Sequence, residues 1–134
     1  MIDHTADIGF VVRANSVAEL FTAAAQALFD LSYDLDAVAE EASARVRISA
    51  DSAEELMVRW LNEIIFLMET GPWVFHRAEV TWGADFSLQA RLFGESGNPV
   101  RHPSCRTVKA ATYHNLSVQK KSRGSWEARV LLDV

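Results

Sequence analysis

The 134-residue sequence is poor in cysteine and has no long apolar run, and each shortage excludes a class of protein. Its single cysteine, Cys105, has no partner within the chain, which excludes a disulfide scaffold. The most apolar stretch, Trp60 to Met68, is interrupted by Asn62 and Glu63 and is far shorter than the roughly 20 residues of a membrane helix. No segment has the pattern of a signal peptide. We therefore expect a reduced, cytoplasmic protein that does not contact a membrane.

The standard catalytic motifs are missing as well. The sequence contains no glycine-rich phosphate loop, no HExxH zinc helix, no GxSxG nucleophile elbow and no CxxC pair. It therefore gives no direct sign of an enzyme.

The composition is that of an ordinary globular protein, and the charge is unevenly distributed along the chain. Apolar residues make up 49% and charged residues 23%, which is typical of one globular domain spanning 1–134. The net charge is 13 − 18 = −5 and is unevenly spread: residues 1–95 carry 6 basic and 16 acidic side chains, and residues 96–134 carry 7 and 2. The negative first part argues against autonomous binding of nucleic acid. The uneven charge indicates either docking to a charged partner or ordinary solvated positions.

Helix signals occur twice in the first half of the chain. Ser16 precedes Glu19 by three residues, and Ser52 precedes Glu55 in the same way, which is the spacing of a capping box. Apolar residues follow each serine at helical spacing, and Gly71-Pro72 predicts the end of the second helix. Alternating runs precede the two helices, at Phe10–Ala14 and Ala44–Ile48.

The second half of the chain has the two-residue period of β-strands. It is rich in β-branched and aromatic residues, and short turn sequences separate its runs. We therefore predict an α+β fold with two layers, in which two helices pack on one face of a mixed, largely antiparallel sheet. The predicted strands are Val74–Trp82, Phe86–Phe93, Thr107–Gln119 and Trp126–Val134.

Acidic residues at the two ends of the chain are the candidates for chemistry. Asp7 lies near the start, and Asp133 is followed by the α-carboxylate of Val134. Oxygen ligands of this kind suit calcium, magnesium or manganese. If the first and last strands are neighbours, these three residues converge on one cation. The alternative is a capping Asp7 and a surface Asp133, and spacing alone leaves both interpretations open.

Five segments, in the same order along the chain, resemble the archease family. A DHTAD start, a KAxTYH strand and a terminal DV are each weak signals, but together they are specific. The segments are Asp3–Gly9, Glu19–Phe21, Trp60–Glu63, Val108–His114 and Leu132–Val134.

The resemblance implies a compact α+β fold and a non-enzymatic function. Archeases activate an RtcB-type RNA-splicing ligase, which uses GTP and manganese to join RNA ends, including those of spliced tRNA halves. They promote guanylylation of the ligase and its repeated turnover. The implied partner is therefore that ligase, with RNA contacted only through it.

The resemblance also implies roles for individual residues. The metal site of the family, with calcium as the expected ion and magnesium or manganese as alternatives, corresponds to Asp7, Asp133 and Val134. Residues implied to act in partner contact or activation are Asp3, His4, Lys109 and His114.

Two alternatives of other classes stay open at this point. One is a general chaperone-like binding module, and the other is a metal-dependent phosphoester hydrolase that uses Asp7, Asp133 and His4. Only Met1 and Ile2 precede the first motif, fewer residues than in the family, which leaves the pairing of the first strand open.

Overall fold

The computed structural model describes residues 7–33, 38–71, 73–96 and 107–134. Within these ranges no helix has the length and apolarity needed to cross a membrane. The elements, in chain order, are β1 (Asp7–Ala14), α1 (Val17–Ser32), β2 (Ala42–Ser49), α2 (Ala53–Thr70), β3 (Trp73–Trp82), β4 (Ser87–Ser96), β5 (Ala110–Lys120), a 3₁₀ turn (Ser122–Gly124) and β6 (Trp126–Asp133).

Both helices begin at the predicted serines. The Ser16 hydroxyl accepts a hydrogen bond from the backbone N–H of Glu19 at 3.1 Å, and the serine before α2 makes the same bond. The glutamates do not complete the capping box. The Glu19 carboxylate accepts from the N–H of Asn15, one residue before the cap, and Glu55 forms an ion pair with Arg59 at 3.0 Å. In α2, Glu55 therefore pairs with Arg59, four residues later, and does not accept from the backbone N–H of the cap residue.

The strands form two three-stranded sheets. Sheet 1 has the order β1-β6-β5 and sheet 2 the order β2-β4-β3. The α+β class is confirmed. The single mixed sheet of the prediction is instead two sheets, in which every pairing between described strands is antiparallel. The first strand pairs with β6 over its described length, from Asp7 to Ala14.

The core lies between the helices and the inner faces of the two sheets. Both helices contact strands of both sheets, so they join the sheets into one hydrophobic core. Trp60 is fully buried, and its indole N–H donates to the carbonyl of Phe21 at 2.9 Å, which links the helices. Alternate strand residues face this core, among them Val130 and Leu132 of β6, so their neighbours face outward.

Strand β5 is irregular in its middle. Its pairing with β6 breaks after Thr112 and resumes at Ser117, and Asn115 has a φ of 55°. The segment between these two positions is called here the β5 bulge. Bulges change the direction of side chains and occur beside functional sites. Here Tyr113 is 60% exposed and His114 is exposed beside it.

Candidate metal-binding site

Asp7 and Asp133 are direct partners in the pairing of β1 with β6. Residues directly opposite in an antiparallel pair have Cβ atoms about 4.5–5.5 Å apart and lie on the same face. Their neighbours Ile8 and Leu132 form the next pair, and Leu132 is fully buried in the core. The period of two therefore places both aspartates on the outer face of sheet 1.

Among the described residues, neither Asp7 nor Asp133 forms an ion pair. The Oδ1 atom of Asp133 is buried and has no hydrogen-bond partner among the described residues, while Asp7 is exposed. Like charges directly opposite each other destabilise a sheet, and a buried polar atom without a partner costs free energy. A hard divalent cation removes both penalties, because carboxylate oxygens are its preferred ligands. The donor set therefore fits such an ion.

Val134 directly follows Asp133 in the chain. It is partly buried and packs against the core, so the end of β6 holds it in place. Within the described ranges, no group of three or more histidine, cysteine, aspartate and glutamate side chains lies close enough to hold a metal. The sequence prediction adds the carboxylate of Val134 as the third ligand beside Asp7 and Asp133.

Strand β5 completes the surroundings of the site on the other side of β6. Ala110 is the register partner of Asp133, and the backbone N–H of Lys109 donates to the Asp133 carbonyl at 2.8 Å. The structure therefore brings Lys109, an exposed residue, to the end of the sheet that carries the aspartates.

Sequence reasoning gave no role to Asn62, although it lies in one of the family segments. Its side-chain carbonyl accepts from the N–H of Ala111 at 2.8 Å, and its amide donates to the carbonyl of Ala111 at 3.3 Å. The side chain of Asn62 thus hydrogen-bonds both backbone groups of Ala111 on the side of β5 away from β6, as a neighbouring strand would. No local signal in the sequence predicts this contact, because it joins residues 49 positions apart.

The remaining predicted residues are not all at this site. His114 lies in the β5 bulge, beyond the pair formed by Thr112 and Leu131, and is therefore separate from the aspartate pair. Asp3, His4 and Cys105 lie outside the described residues.

A groove of about 600 Å³ crosses the outer face of sheet 1, between β1 and the β5 bulge. It gives this face a concave surface beside the aspartate pair. Its lining residues are Gly9, Phe10, Val11, Asn115, Leu116, Ser117, Arg129, Val130 and Leu131.

Comparisons with known proteins agree with this architecture. The chain is similar to "Protein archease" of Methanopyrus kandleri, with 38% identity over 136 residues, covering 99% of this chain and 96% of the relative. "Protein archease" of Methanosarcina mazei is 34% identical over 137 residues, covering 99% and 93%. The solution structure of Methanobacterium thermoautotrophicum protein 1598 has a TM-score of 0.76 and 27% identity, covering 99% and 96%.

The profile of the family described as "Archease protein family (MTH1598/TM1083)" matches residues 1–134. Together with relatives above 30% identity along nearly the whole chain, this match settles the family. The chain belongs to the archease family.

Proposed function

We propose that this protein activates an RtcB-type RNA ligase, by promoting guanylylation of the ligase and its repeated turnover. Membership in the archease family supports the broader role of an accessory protein in RNA processing. The proposal adds the partner and a divalent-cation site formed by Asp7, Asp133 and the carboxylate of Val134.

The observation that carries the cation site is the pairing of Asp7 with Asp133, together with the buried Oδ1 atom that has no partner among the described residues. The antiparallel ladder fixes the backbone positions of both aspartates before any ligand arrives, which lowers the entropic cost of binding. Calcium, magnesium or manganese held here supplies a positive centre that phosphate oxygens contact.

The protein's own residues have simple roles in this proposal. Asp7 and Asp133 hold the charge at the end of sheet 1, and Lys109 adds a cation that contacts phosphate or the ligase. Tyr113 and His114, which are exposed in the β5 bulge, contact the ligase beside the groove. Asp3 and His4 precede Asp7 in the same motif and keep their predicted role in activation.

Guanylylation of a ligase partner, measured with labelled GTP and manganese, tests the proposal. We expect Asp7→Asn and Asp133→Asn to reduce stimulation toward the rate of the ligase alone. Asp85→Asn is the matched control, because Asp85 is exposed in the β3–β4 turn and its φ of 55° suits asparagine. Full stimulation by both site variants would overturn the metal-dependent part of the proposal, and no stimulation by the wild-type protein would overturn the whole.

A second experiment isolates the carboxylate of Val134. One glycine added after Val134 converts this carboxylate into an amide and removes a charged ligand. We expect the extended protein to bind calcium more weakly and to stimulate less. Val134→Ala, which keeps the carboxylate, is the control and should retain calcium binding. Equal calcium affinity in the extended and wild-type proteins would exclude Val134 as a ligand.

A further inference from the structure

The outer face of sheet 2 concentrates positive charge in an otherwise acidic part of the chain. Residues 1–95 contain 6 basic side chains against 16 acidic ones, and all 6 are arginines. Strand alternation places four of them on this one face. Two of the four are partners of each other, and the other register partners are Phe93, Glu79 and Gln89. This surface is called here the arginine face, and its arginines are Arg45, Arg47, Arg77 and Arg91.

Two of these arginines are directly opposite each other. Arg45 of β2 is the register partner of Arg91 of β4, and Arg47 follows on the same face of β2. All three are exposed, and none has a carboxylate within ion-pair distance among the described residues. Like charges directly opposite destabilise a sheet. An anion that bridges the two strands would relieve this repulsion.

The fourth arginine of the face already has an anionic partner. Arg77 donates to both carboxylate oxygens of Glu40, at 2.9 and 3.0 Å, and lies 4.1 Å from the ring centre of Phe93. Arg91 lies over the same ring at 5.2 Å and donates only to the Ser43 hydroxyl, at 3.3 Å. The planar guanidinium of Arg91 is thus supported by an aromatic ring but has no anion.

The space above these side chains is a groove of about 430 Å³. Three arginines, Thr81 and Gln89 line it and offer hydrogen-bond donors, beside one carboxylate, Glu79, and the small apolar residues Val46 and Ala90. A protein interface usually has aromatic or aliphatic anchors at its centre, and here Phe93 is covered by guanidinium groups. Arginines beside polar side chains are instead the composition that contacts phosphodiester backbones.

We propose that the arginine face binds the phosphate backbone of single-stranded RNA directly. Arg45 and Arg47 are two residues apart on one strand, which separates them by about 6.7 Å, and the three strands span about 10 Å. This surface suits one extended strand rather than a duplex. Direct contact goes beyond ligase activation and departs from the expectation that RNA is reached only through the ligase. It uses sheet 2, whereas the aspartate pair lies on sheet 1.

Fluorescence anisotropy with a labelled, unstructured oligoribonucleotide and the full chain, without ligase, tests this inference. The variant Arg45→Gln/Arg47→Gln changes the net charge from −5 to −7. We expect about tenfold weaker binding and a loss of about 1.4 from the slope of log K against log salt, which is two phosphate contacts on a single strand. The control Arg13→Gln/Arg129→Gln makes the same charge change on sheet 1 and should bind like the wild type.

A gain of affinity provides a test that misfolding cannot imitate. Glu40→Gln removes the closer of the two carboxylates that pair with Arg77 and leaves Glu79 at 3.5 Å, and we expect RNA to bind about threefold more tightly as one more phosphate contact forms. Glu41→Gln changes the charge equally at an exposed neighbour and should leave the affinity unchanged.

Three results would overturn the inference. One is the absence of RNA binding by the wild-type protein at low salt. Another is an equal loss in both double variants, which would assign the effect to net charge. The third is that polyglutamate binds the wild type as tightly as RNA does and that Arg45→Gln/Arg47→Gln loses this binding. That result would indicate that the face binds an acidic protein. Because no ligase is present, these results do not depend on whether ligase activation is correct.

Discussion

The side chain of Asn62 in α2 forms two hydrogen bonds with the backbone of Ala111 in β5, one through its carbonyl and one through its amide. Ala111 lies next to Ala110, the register partner of Asp133. Helix α2 therefore holds the beginning of β5 against β6, where the backbone of Lys109 contacts Asp133. We therefore expect the geometry at the aspartate pair to depend on Asn62, whose two side-chain hydrogen bonds go to Ala111.

Asn62→Ala tests this dependence. The substitution leaves the N–H and carbonyl of Ala111 without their partners, and we expect a loss of about 1–3 kcal/mol in the free energy of unfolding. Amide hydrogen exchange should become faster at Lys109 and Ala111 before it does in the core of sheet 2. Gln26→Ala, which removes an exposed amide from α1, is the control and should change neither quantity. Unchanged exchange at Ala111 in Asn62→Ala would contradict the proposed support of β5.

The aspartate pair makes a prediction about stability with and without metal. Without metal, Asp7→Asn should raise the melting temperature because it removes repulsion from Asp133. Calcium at about 100 times its Kd should stabilise the wild type by about 2.7 kcal/mol, or roughly 10 °C, and should not stabilise Asp133→Asn. Asp85→Asn should respond to calcium like the wild type. Calorimetry in EDTA and in calcium measures both effects, and an equal calcium response in Asp133→Asn would exclude Asp133 as a ligand.

The sequence predicts features that depend on residues close together in the chain, and it does not predict features that depend on distant residues. Ser16 and Ser52 start the helices as predicted, because a cap involves residues three positions apart. The alternating runs predicted which strand residues face the core, because side-chain direction follows from the period of two. They could not predict the partner of each strand, so the division into two sheets was not predicted.

The candidate site shows the same limit. Asp7 and Asp133 were proposed from their chemistry and from the family resemblance, but their direct pairing depends on register, which local sequence does not encode. The arginine face is a further case. Residues 1–95 have a strongly negative balance of charge, and this average hid the fact that β2, β3 and β4 direct four arginines to the same side. The register of the strands decides which charges lie on one surface, and a count of charges along the sequence does not show this.

Gly94 carries a prediction about folding that is independent of function. A Cβ atom at this position would overlap the carbonyl oxygen of Val74 on the neighbouring strand, and the backbone cannot move aside as a flexible side chain can. We expect Gly94→Ala to lower the free energy of unfolding by about 3 kcal/mol, at the upper end of overpacking. Ser96→Ala, on the exposed end of the same strand, is the control and should cost far less. Urea denaturation measures both, and a wild-type midpoint for Gly94→Ala would show that the strands are spaced differently.

The contacts of Glu40 predict a dependence of stability on pH. Hydrogen bonds from Arg77 lower the pKa of the Glu40 carboxyl below its ordinary value of 4.5, and the charges of Arg77 and His76 act in the same direction against partial desolvation. A lowered pKa in the folded state means that the contribution to stability is fully present above pH 4.5 and disappears as pH falls through the folded pKa. The melting temperature of Glu40→Gln should therefore be below that of the wild type at pH 7, and the difference should shrink as the pH falls below 4.5 and through the folded pKa of Glu40. Glu41→Gln, at an exposed neighbour, should follow the wild type throughout, and a difference for Glu40→Gln that persists at low pH would assign the effect to packing instead of charge.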